Sequence, residues 1–455
     1  MAALSLLTAA RLSYDPWSWM VFARELAQHG TLVKSGPTGW KPLPVLLAAP
    51  FGLTGPALPY IWLFIARLGA LLALAGAYRL AERLAGPVAG VLSAICLLIL
   101  HHWVTLAAGG ATEPLVAGAV VWAVERHLAG RPRQAFALIA LAALGRPELW
   151  LGALIYALLV MRRERRADWK LLVVLAVVPV LWAAGDWAGA GDPFAAAQHA
   201  SASVEVRRLQ ATAHPAWTML RHAVLSVIPA ALALALAAVL LWLRRRDAGV
   251  TAILITAGVL GVPLIVATEF GYPGQARFLL PAAGLICVLA GVGAVRLAAL
   301  VPGRFRAAVL AALSVAALAV SRGPASDAYT EAHNANERGR VNAALAASVR
   351  RIGRDSILRC GAPRVEPAYE ESALAWFLDV ETPRVGGHGV EPPLLVFITR
   401  QKLAEGALAS ALRPGRRAWA LRAIEPWRAF TVSSSLPGSR PPAGCPVLAQ
   451  APLRG

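Results

Sequence analysis

Residues 244–267, RRRDAGVTAILITAGVLGVPLIVA, combine the two features that decide the fold. Residues 249–267 carry no charged side chain, and as an α-helix they would extend about 28 Å at 1.5 Å per residue. That length nearly matches the hydrocarbon core of a bilayer, which is about 30 Å thick. The three arginines at 244–246 precede the apolar block, as basic residues do at the cytoplasmic ends of membrane spans. The stretch therefore predicts a membrane-spanning helix that begins inside the cell.

The whole chain has the composition of a membrane protein. Of its 455 residues, 58% are hydrophobic and 15% are charged, and the mean hydropathy is +0.58. Apolar blocks of about twenty residues recur, and such blocks cross a bilayer as helices rather than as the shorter strands of a barrel. The net charge of +19 resides mainly in arginines of short loops, a topology signal that argues against a nucleic-acid partner. We therefore predict a mainly α, polytopic membrane protein.

About ten or eleven membrane spans are predicted. Arginine clusters fall at every second loop, which places those loops in the cytoplasm and the others outside. The run 1–12 reaches only about 18 Å as a helix, so we interpret it as an incomplete first span. A signal peptide is disfavoured because no basic residues precede this run. The other predicted spans are 57–78, 88–106, 114–128, 134–145, 148–161, 169–185, 222–243, 249–267, 279–297 and 307–322, of which 134–145 and 148–161 form a hairpin with its tip outside.

The sequence changes near residue 323, where mixed polar sequence replaces the apolar blocks. We predict a transmembrane domain over 1–322 and a water-facing, extracytoplasmic domain over 323–455. Its pattern indicates a small α/β fold. The elements expected in it are a helix over 327–352, an apolar strand at 394–399, a short helix over 401–412 and a β-like run around Trp419.

Four cysteines provide neither a disulfide framework nor the spacing of metal ligands. Cys96 and Cys287 lie in apolar blocks and are interpreted as small packing residues. Cys360 and Cys445 lie in the polar C-terminal region. An oxidising compartment would permit a disulfide between them, and the sequence leaves this open.

The first outer segment carries an acid and a lysine beside prolines. Asp15 lies in SYDPWSWM at 13–20, and the stretch that continues to Gly30 is predicted to be an amphipathic helix on the membrane surface. Asp15 is either a helix N-cap or a carboxylate at the mouth of a membrane cavity. Lys41, in WKPLP at 40–44, either reaches lipid headgroups or binds a phosphate.

A second acid lies in the next outer loop. Glu113 precedes Pro114, where helix capping and a functional role are both open. His101 and His102 lie one or two turns down an apolar helix beside it. Ionisable groups at such positions are costly, which favours the functional interpretation.

Charged residues at the hairpin tip and in two later outer loops complete the set. Arg146 is interpreted as a bidentate phosphate ligand, and Glu148 as a group that orients Arg146 or an acceptor hydroxyl; alternatively the two neutralise each other. Arg277 lies at the outer end of a span, which favours an anionic partner such as lipid phosphate, with snorkelling as the alternative. Asp192 adds a polar group to the loop that runs to Trp217.

Together these motifs resemble the GT-C superfamily, polytopic membrane glycosyltransferases that use polyprenyl-phosphate sugars on the outer side of the membrane. The resemblance covers the membrane region. It rests on four motifs in a common order: DPWSW at 15–19, WKPLP at 40–44, RPE at 146–148 and RFLLP at 277–281.

The resemblance implies an inverting transfer in which Asp15 is the general base, deprotonating an acceptor hydroxyl as it attacks the anomeric carbon. Glu113 would be the second acid, and Lys41, Arg146 and Arg277 would neutralise the lipid-phosphate leaving group. Supporting roles would fall to Glu148, His101, His102 and Asp192. The implied partners are a polyprenyl-phosphate sugar donor, a glycan, lipid or protein acceptor, and membrane lipids. No cofactor is assigned, and a divalent cation, Mg²⁺ or Mn²⁺, stays open.

Two other classes stay open. A secondary transporter or a flippase of lipid-linked glycans predicts charges near the midplane and a hydropathy repeat between halves, whereas here the charges lie at span ends. A non-catalytic cell-envelope assembly protein would use Asp15 and Glu113 only as helix caps. We favour a glycosyltransferase, of hexosyl or pentosyl units, in a bacterial cytoplasmic (inner) membrane.

Overall fold

The computed structural model describes residues 2–7, 12–32, 39–202, 204–227, 229–320, 322–385, 394–404, 418–424 and 427–432. Most of these residues are helical, and four strands lie in the C-terminal part. The helices are α1 Tyr14–His29, α2 Pro42–Ala48, α3 Leu58–Ala85, α4 Pro87–Leu98, α5 Trp103–Ala108, α6 Glu113–Leu128, α7 Pro132–Gly145, α8 Trp150–Glu164, α9 Trp169–Ala190, α10 Ala195–Ser201, α11 Val204–Gln210, α12 Pro215–Ser226, α13 Pro229–Arg245, α14 Ala248–Ala267, α15 Leu280–Ala298, α16 Gly303–Val320, α17 Arg322–Ile352, α18 Arg354–Arg359, α19 Glu371–Leu378 and α20 Arg400–Ala404. Short 3-10 segments occur at Leu4–Leu7, Ala49–Ala57, Pro147–Leu149, Thr268–Phe270, Ala276–Leu279, Ala368–Glu370 and Thr382–Arg384.

Several helices are long and apolar enough to cross a membrane. Among the described residues, length and composition select four: Pro42–Ala85, Trp169–Ala190, Ala248–Phe270 and Ala276–Ala298. The bent pair α12 and α13 makes a fifth if it is one span. The predicted polytopic α-helical fold is therefore confirmed, and the predicted hairpin is present as α7 and α8. Shorter apolar helices such as α4 and α7 occupy other predicted spans, so the number of spans stays a prediction.

Two predicted spans are not continuous helices. The span 88–106 is broken after Leu98, and the chain restarts at Trp103 from His102, whose backbone is left-handed with φ 64°. Burying a polar imidazole inside an apolar membrane helix costs free energy. The break places both histidines between the end of α4 and the start of α5. The span 222–243 is bent by 97° between α12 and α13. Pro229 begins α13, and a proline cannot donate a backbone hydrogen bond to the preceding turn.

The membrane helices pack closely around α15. In its most apolar window, 83% of residues are buried inside the protein. At Gly293 a Cβ atom would lie 1.9 Å from the carbonyl oxygen of Leu234, so only glycine permits α13 to approach this closely. Small residues allow such backbone approach between membrane helices.

The predicted C-terminal α/β fold is confirmed. The strands are β1 Ala362–Glu366, β2 Leu394–Thr399, β3 Ala418–Ile424 and β4 Trp427–Val432, in the order β1-β2-β4-β3. β1 and β2 are parallel, and the other two pairs are antiparallel. The short helix predicted over 401–412 is present as α20, and residues 405–417 lie outside the described residues. Cys360 is disulfide-bonded, whereas Cys445 lies outside the described residues.

The helix predicted to continue to Gly30 is present as α1, but it is covered by protein on all sides over its first half, whereas an amphipathic surface helix was predicted. Every residue from Pro16 to Glu25 is buried, because α1 packs between the membrane helices and α19 of the C-terminal region. The Trp17 ring contacts the Phe377 ring edge-on at 5.2 Å. Apolar residues surround the helix rather than forming one stripe, which is typical of a buried helix.

Candidate active site

Six charged side chains meet where several helices begin. We call them the charged cluster, and it contains three acids and three cations. Its members are Asp15, Lys41, Glu113, Arg146, Glu148 and Arg277, joined to one another by ion pairs of 2.9–3.9 Å. The cluster contains all five residues to which the sequence analysis assigned a direct role, together with Glu148, which was assigned a supporting role.

Prolines place four of these side chains at helix starts. Asp15, Lys41, Glu113 and Arg146 each stand directly before a proline that lies in the first turn of a helical segment. Proline is favoured in the first helical turn and pushes the preceding residue towards extended backbone. Lys41 and Arg146 are extended, with φ −136° and −150°. The local sequence thus sets each charge at the N-terminal end of its helix.

Neither carboxylate occupies the helix-capping position. The N-cap residues of α1 and α6 are Ser13 and Thr112, and neither cap side chain makes a capping hydrogen bond. Asp15 and Glu113 lie one or two residues further on, in the first turn. The side chains of these acids point instead to cations of other segments.

The buried half of the cluster is centred on Arg146. Its Nη2 atom donates to Glu113 Oε1 at 2.9 Å, and its Nη1 atom lies 3.5 Å from Glu148 Oε1. The Arg146 side chain is 5% exposed and that of Glu113 only 1%. The Arg146 guanidinium also lies 3.9 Å from the centre of the Phe278 ring. Arg146 therefore joins the two acids rather than neutralising Glu148 alone.

Tyr272 is a member of the site to which sequence reasoning assigned no role. Its hydroxyl donates to Glu148 Oε1 at 2.8 Å. Glu148 thereby has two partners that fix its orientation. Tyr272 lies five residues before Arg277 in the same loop, and that proximity in sequence is the signal that could have indicated it.

The open half of the cluster is centred on Asp15. Its Oδ2 atom lies 3.9 Å from Lys41 Nζ and 3.6 Å from Arg277 Nη2. Arg277 Nε also lies 3.7 Å from Glu113 Oε1, which links the two halves. The Asp15 side chain is 20% exposed. These longer pairs and the greater exposure make Asp15 the acid more open to a ligand.

Aromatic residues hold Lys41 in place. Its ammonium group lies 5.0 Å from the centre of the Trp19 ring, a separation at which cation–π attraction is expected. The neighbouring Trp40 donates its indole N–H to the Leu181 carbonyl at 3.0 Å. At Gly185, a Cβ atom would lie 2.1 Å from the Trp40 ring. Glycine at this point of α9 lets Trp40 insert there.

The remaining predicted residues lie elsewhere. His101 and His102 stack on each other, with ring centres 3.7 Å apart, in the break between α4 and α5. Asp192 accepts from the Phe194 backbone N–H at 2.8 Å and from the Gln198 side chain at 2.7 Å. These contacts give Asp192 a role in a local turn before α10. The ion pairs that join the charged cluster include none of these three residues.

An apolar groove begins beside the cluster. Its volume is about 240 Å³, and it lies between α7, α8 and α9. Phe136 and Ala143 both line it and are seven residues apart on α7, or about 10 Å. The indole N–H groups of Trp150 and Trp182 both donate to the Ala143 carbonyl, at 3.4 and 3.1 Å. This end of the groove is less than one helical turn from Arg146.

The side chains of the cluster suit anion binding and proton transfer. Among the residues that the structure describes, no group of three or more His, Cys, Asp or Glu side chains could hold a metal ion. The cluster itself alternates acids with cations. Its three cations can bind an anionic group, and the more exposed carboxylate can take a proton.

These features define a polytopic membrane protein with charged residues at helix ends, an apolar groove and an α/β region packed on top. Two crystal structures of ArnT from Cupriavidus metallidurans have a similar fold. The apo structure matches with 15% identity, a TM-score of 0.52 and coverage of 95% of each chain. The structure bound to undecaprenyl phosphate matches with 15% identity, a TM-score of 0.56 and coverage of 96% of this chain and 97% of that one. No family model and no curated protein sequence match. The chain therefore has the GT-C fold, and the predicted resemblance is confirmed.

Proposed function

We propose that this chain is a glycosyltransferase that moves a sugar from a polyprenyl-phosphate-linked donor to an acceptor at the outer face of the cytoplasmic membrane. The observation that carries the proposal is the adjacency of the charged cluster and the apolar groove. A lipid-phosphate donor needs both, because its phosphate is anionic and its isoprenoid chain is apolar. The similar fold of ArnT, which binds undecaprenyl phosphate, supports this class of donor.

The cations of the cluster suit the leaving group. As the sugar departs, negative charge develops on the lipid phosphate, and preorganised cations in a water-poor site stabilise it. Lys41 and Arg277 lie on the open half of the cluster, whereas Arg146 is buried and tied to two acids. We assign direct phosphate contact to Lys41 and Arg277. Arg146 would contribute positive charge from a buried position, where it pairs with Glu113 and Glu148.

Asp15 suits the general base. The acceptor hydroxyl oxygen forms a bond to the anomeric carbon while the bond from that carbon to the phosphate oxygen breaks, which inverts the anomeric centre. The hydroxyl proton passes to the Asp15 carboxylate, and the electron pair of the broken bond stays on the phosphate. General-base catalysis of this kind contributes about 10²–10⁴ in rate.

The acceptor would enter from the outer side, where the C-terminal region covers α1. A glycan, lipid or protein hydroxyl fits this geometry equally, and the sugar transferred is a hexosyl or pentosyl unit in this proposal. A divalent cation, Mg²⁺ or Mn²⁺, would most readily approach Asp15, which is the most exposed carboxylate of the cluster at 20%, against 15% for Glu148. The extracytoplasmic location of the C-terminal region rests on the distribution of arginines.

The test is sugar transfer from radiolabelled polyprenyl-phosphate monosaccharides in membranes. Asp15→Asn should lower kcat by about 10²–10⁴ at matched expression. The matched control is Glu164→Gln. Glu164, like Asp15, is an acid in an ion pair, with Arg133 at 3.3 Å. It lies at the end of α8 that is remote from the charged cluster. Glu164→Gln should leave transfer unchanged.

Two results would refute the assignment. Absence of transfer by the wild-type chain with every donor would favour the flippase or transporter. Equal transfer by Asp15→Asn and wild type would remove Asp15 from the chemistry and leave it as a structural partner of Lys41 and Arg277.

A further inference from the structure

In the C-terminal region, α19 and the turn that follows it contact α1, the helix that carries Asp15. Arg24, about two and a half turns along α1 from Asp15, is buried beneath the end of α19. Its Nη1 atom lies 2.9 Å from Asp379 Oδ1, and its Nη2 atom donates to the Val380 carbonyl at 2.7 Å. The Arg24 guanidinium also lies 5.2 Å from the centre of the Trp376 ring. Arg24 thus directs its donors to α19 and to the turn that follows it.

A second contact lies much nearer to Asp15. The hydroxyl groups of Ser18 and Ser372 are 2.5 Å apart, and both residues are buried. Ser18 is three residues after Asp15, so the two side chains share one face of α1. Ser372 is in the first turn of α19. The two ends of α19 therefore hold α1 at two points, Ser18 and Arg24.

We infer that α19 is a positioning element for the active site, and that the pairs Ser18–Ser372 and Arg24–Asp379 fix the place of Asp15 relative to Lys41 and Arg277. The inference rests on the proposed function. Neither pair touches the cluster, so their effect is transmitted through the rigid helix α1.

The geometry makes this positioning consequential. The ion pairs of Asp15 are long, at 3.6 and 3.9 Å, so they restrain its carboxylate weakly. The contacts with α19 are shorter: Ser18 and Ser372 are both buried at 2.5 Å, and Arg24, whose side chain is 6% exposed, makes contacts of 2.9 Å with Asp379 and 2.7 Å with the buried Val380 carbonyl. They therefore restrain the helix more strongly. A displacement of about 1 Å at a reacting group can cost about 10² in rate. Loosening α19 should therefore reduce kcat while the donor phosphate site keeps its cations.

The first variant is Asp379→Asn. Asp379 has a left-handed backbone with φ 54°, which asparagine also tolerates, so the backbone is preserved. The lost charge weakens the pair with Arg24 and also the 2.8 Å pair between Asp379 Oδ2 and Arg354 Nη1, so Arg354→Gln, which breaks only the second pair, should leave kcat unchanged. We expect kcat to fall by about tenfold or more, with the KM for the donor unchanged. The control is Glu337→Gln, which breaks an exposed ion pair with Arg340 in the same region and should change neither constant.

A disulfide tests whether position is the cause. Ser18→Cys and Ser372→Cys would place two thiols at the point of closest approach, within reach of an S–S bond. In the Asp379→Asn background, oxidation to this disulfide should restore kcat at least fivefold, and a reductant that breaks it should abolish the gain. Because the reductant also reaches the native disulfide of Cys360, the same treatment of Asp379→Asn chain that keeps Ser18 and Ser372 is the control and should leave its kcat unchanged. A loss of kcat without restoration would indicate general destabilisation and would overturn the inference.

A second pair of variants applies if the introduced cysteines themselves impair transfer. Arg24→Lys keeps a charge opposite Asp379, whereas Arg24→Gln does not, so the lysine variant should retain the larger kcat. Equal values would overturn the inference.

The rate at which the two introduced thiols cross-link can be measured without sugar transfer. It therefore separates the positioning role of α19 from the proposed glycosyltransferase function. It reports how closely α19 holds α1, so Asp379→Asn should slow it. Wild-type chain that never transfers sugar refutes the proposed function. If the wild-type chain transfers sugar, and Asp379→Asn slows cross-linking without lowering kcat, only the positioning role is refuted.

Discussion

Replacement of Glu113 by glutamine should weaken the folded protein and tighten its hold on lipid phosphate at the same time. The substitution keeps the shape of the side chain and removes one negative charge. Glu113 is 1% exposed and lies 2.9 Å from Arg146, which is 5% exposed. Removing one partner of a buried ion pair costs about 3–5 kcal/mol. Because Glu148 still lies 3.5 Å from Arg146, we expect a value near the lower limit.

The effect on the ligand has the opposite sign. With three acids and three cations the charged cluster is balanced, and Glu113→Gln leaves one uncompensated positive charge. Two unit charges about 5 Å apart interact by about 3 kcal/mol at an effective dielectric constant of about 20, which is an upper limit here. Undecaprenyl phosphate should therefore bind Glu113→Gln at least tenfold more tightly than wild type, while sugar transfer falls because the second acid is lost.

The assay is the denaturant midpoint in mixed micelles, measured with and without undecaprenyl phosphate. Glu125→Gln is the matched control, since Glu125 lies on the same helix, is also 1% exposed and pairs with Arg83 at 2.9 Å at the opposite end. It should lower stability without changing the shift caused by the ligand. An unchanged midpoint for Glu113→Gln would refute the buried pair, and an unchanged or smaller ligand shift would refute phosphate binding at the cluster.

Three further changes test other parts of the site. Leu154→Trp should fill the apolar groove and lower kcat/KM for long-chain but not short-chain donors in transfer assays, whereas Leu159→Trp, at an exposed position of the same helix that does not line the groove, should have no effect. Burial raises the pKa of Glu371 to about 7, so the free energy of unfolding should fall as pH rises from about 4.5 to 7, and denaturant titrations of Glu371→Gln should show a flatter profile. Tyr272→Phe removes the 2.8 Å hydrogen bond to Glu148 and should cost about 1.5–3 kcal/mol in the same titrations.

The sequence was sufficient for the features that depend on neighbours along the chain. The block 249–267 predicted α14, the turn at 145–148 predicted the α7–α8 hairpin, and the apolar run at 394–399 coincides with β2. Hydropathy blocks and turn residues are local signals, and nothing in the folded protein overrides them at these points. The order of the outer motifs also predicted the GT-C fold.

Features that depend on contacts between residues far apart in the chain could not be predicted from the sequence. The sequence around α1 shows aromatic residues but not that Phe377, more than 350 positions later, covers Trp17. The expected pairing of Arg146 with Glu148 omitted Glu113, which is 33 residues away and makes the shorter contact. A charge near a proline indicates a helix start. Its partner depends on which other helix starts lie beside it, and that arrangement is set by packing.

The two halves of the charged cluster explain how one site can be both rigid and reactive. The Glu113–Arg146 pair is short and buried, so breaking it is costly, and it ties the start of α6 to the end of α7. The contacts of Asp15 with Lys41 and Arg277 are longer, at 3.9 and 3.6 Å, and their side chains are more exposed than those of Glu113 and Arg146. Each is therefore weaker than the buried pair. In the proposed mechanism, an arriving phosphate would draw Lys41 and Arg277 from Asp15 more easily than it could break the buried pair. That exchange would leave the Asp15 carboxylate without these two cations beside the sugar, so that it could accept the hydroxyl proton as a general base.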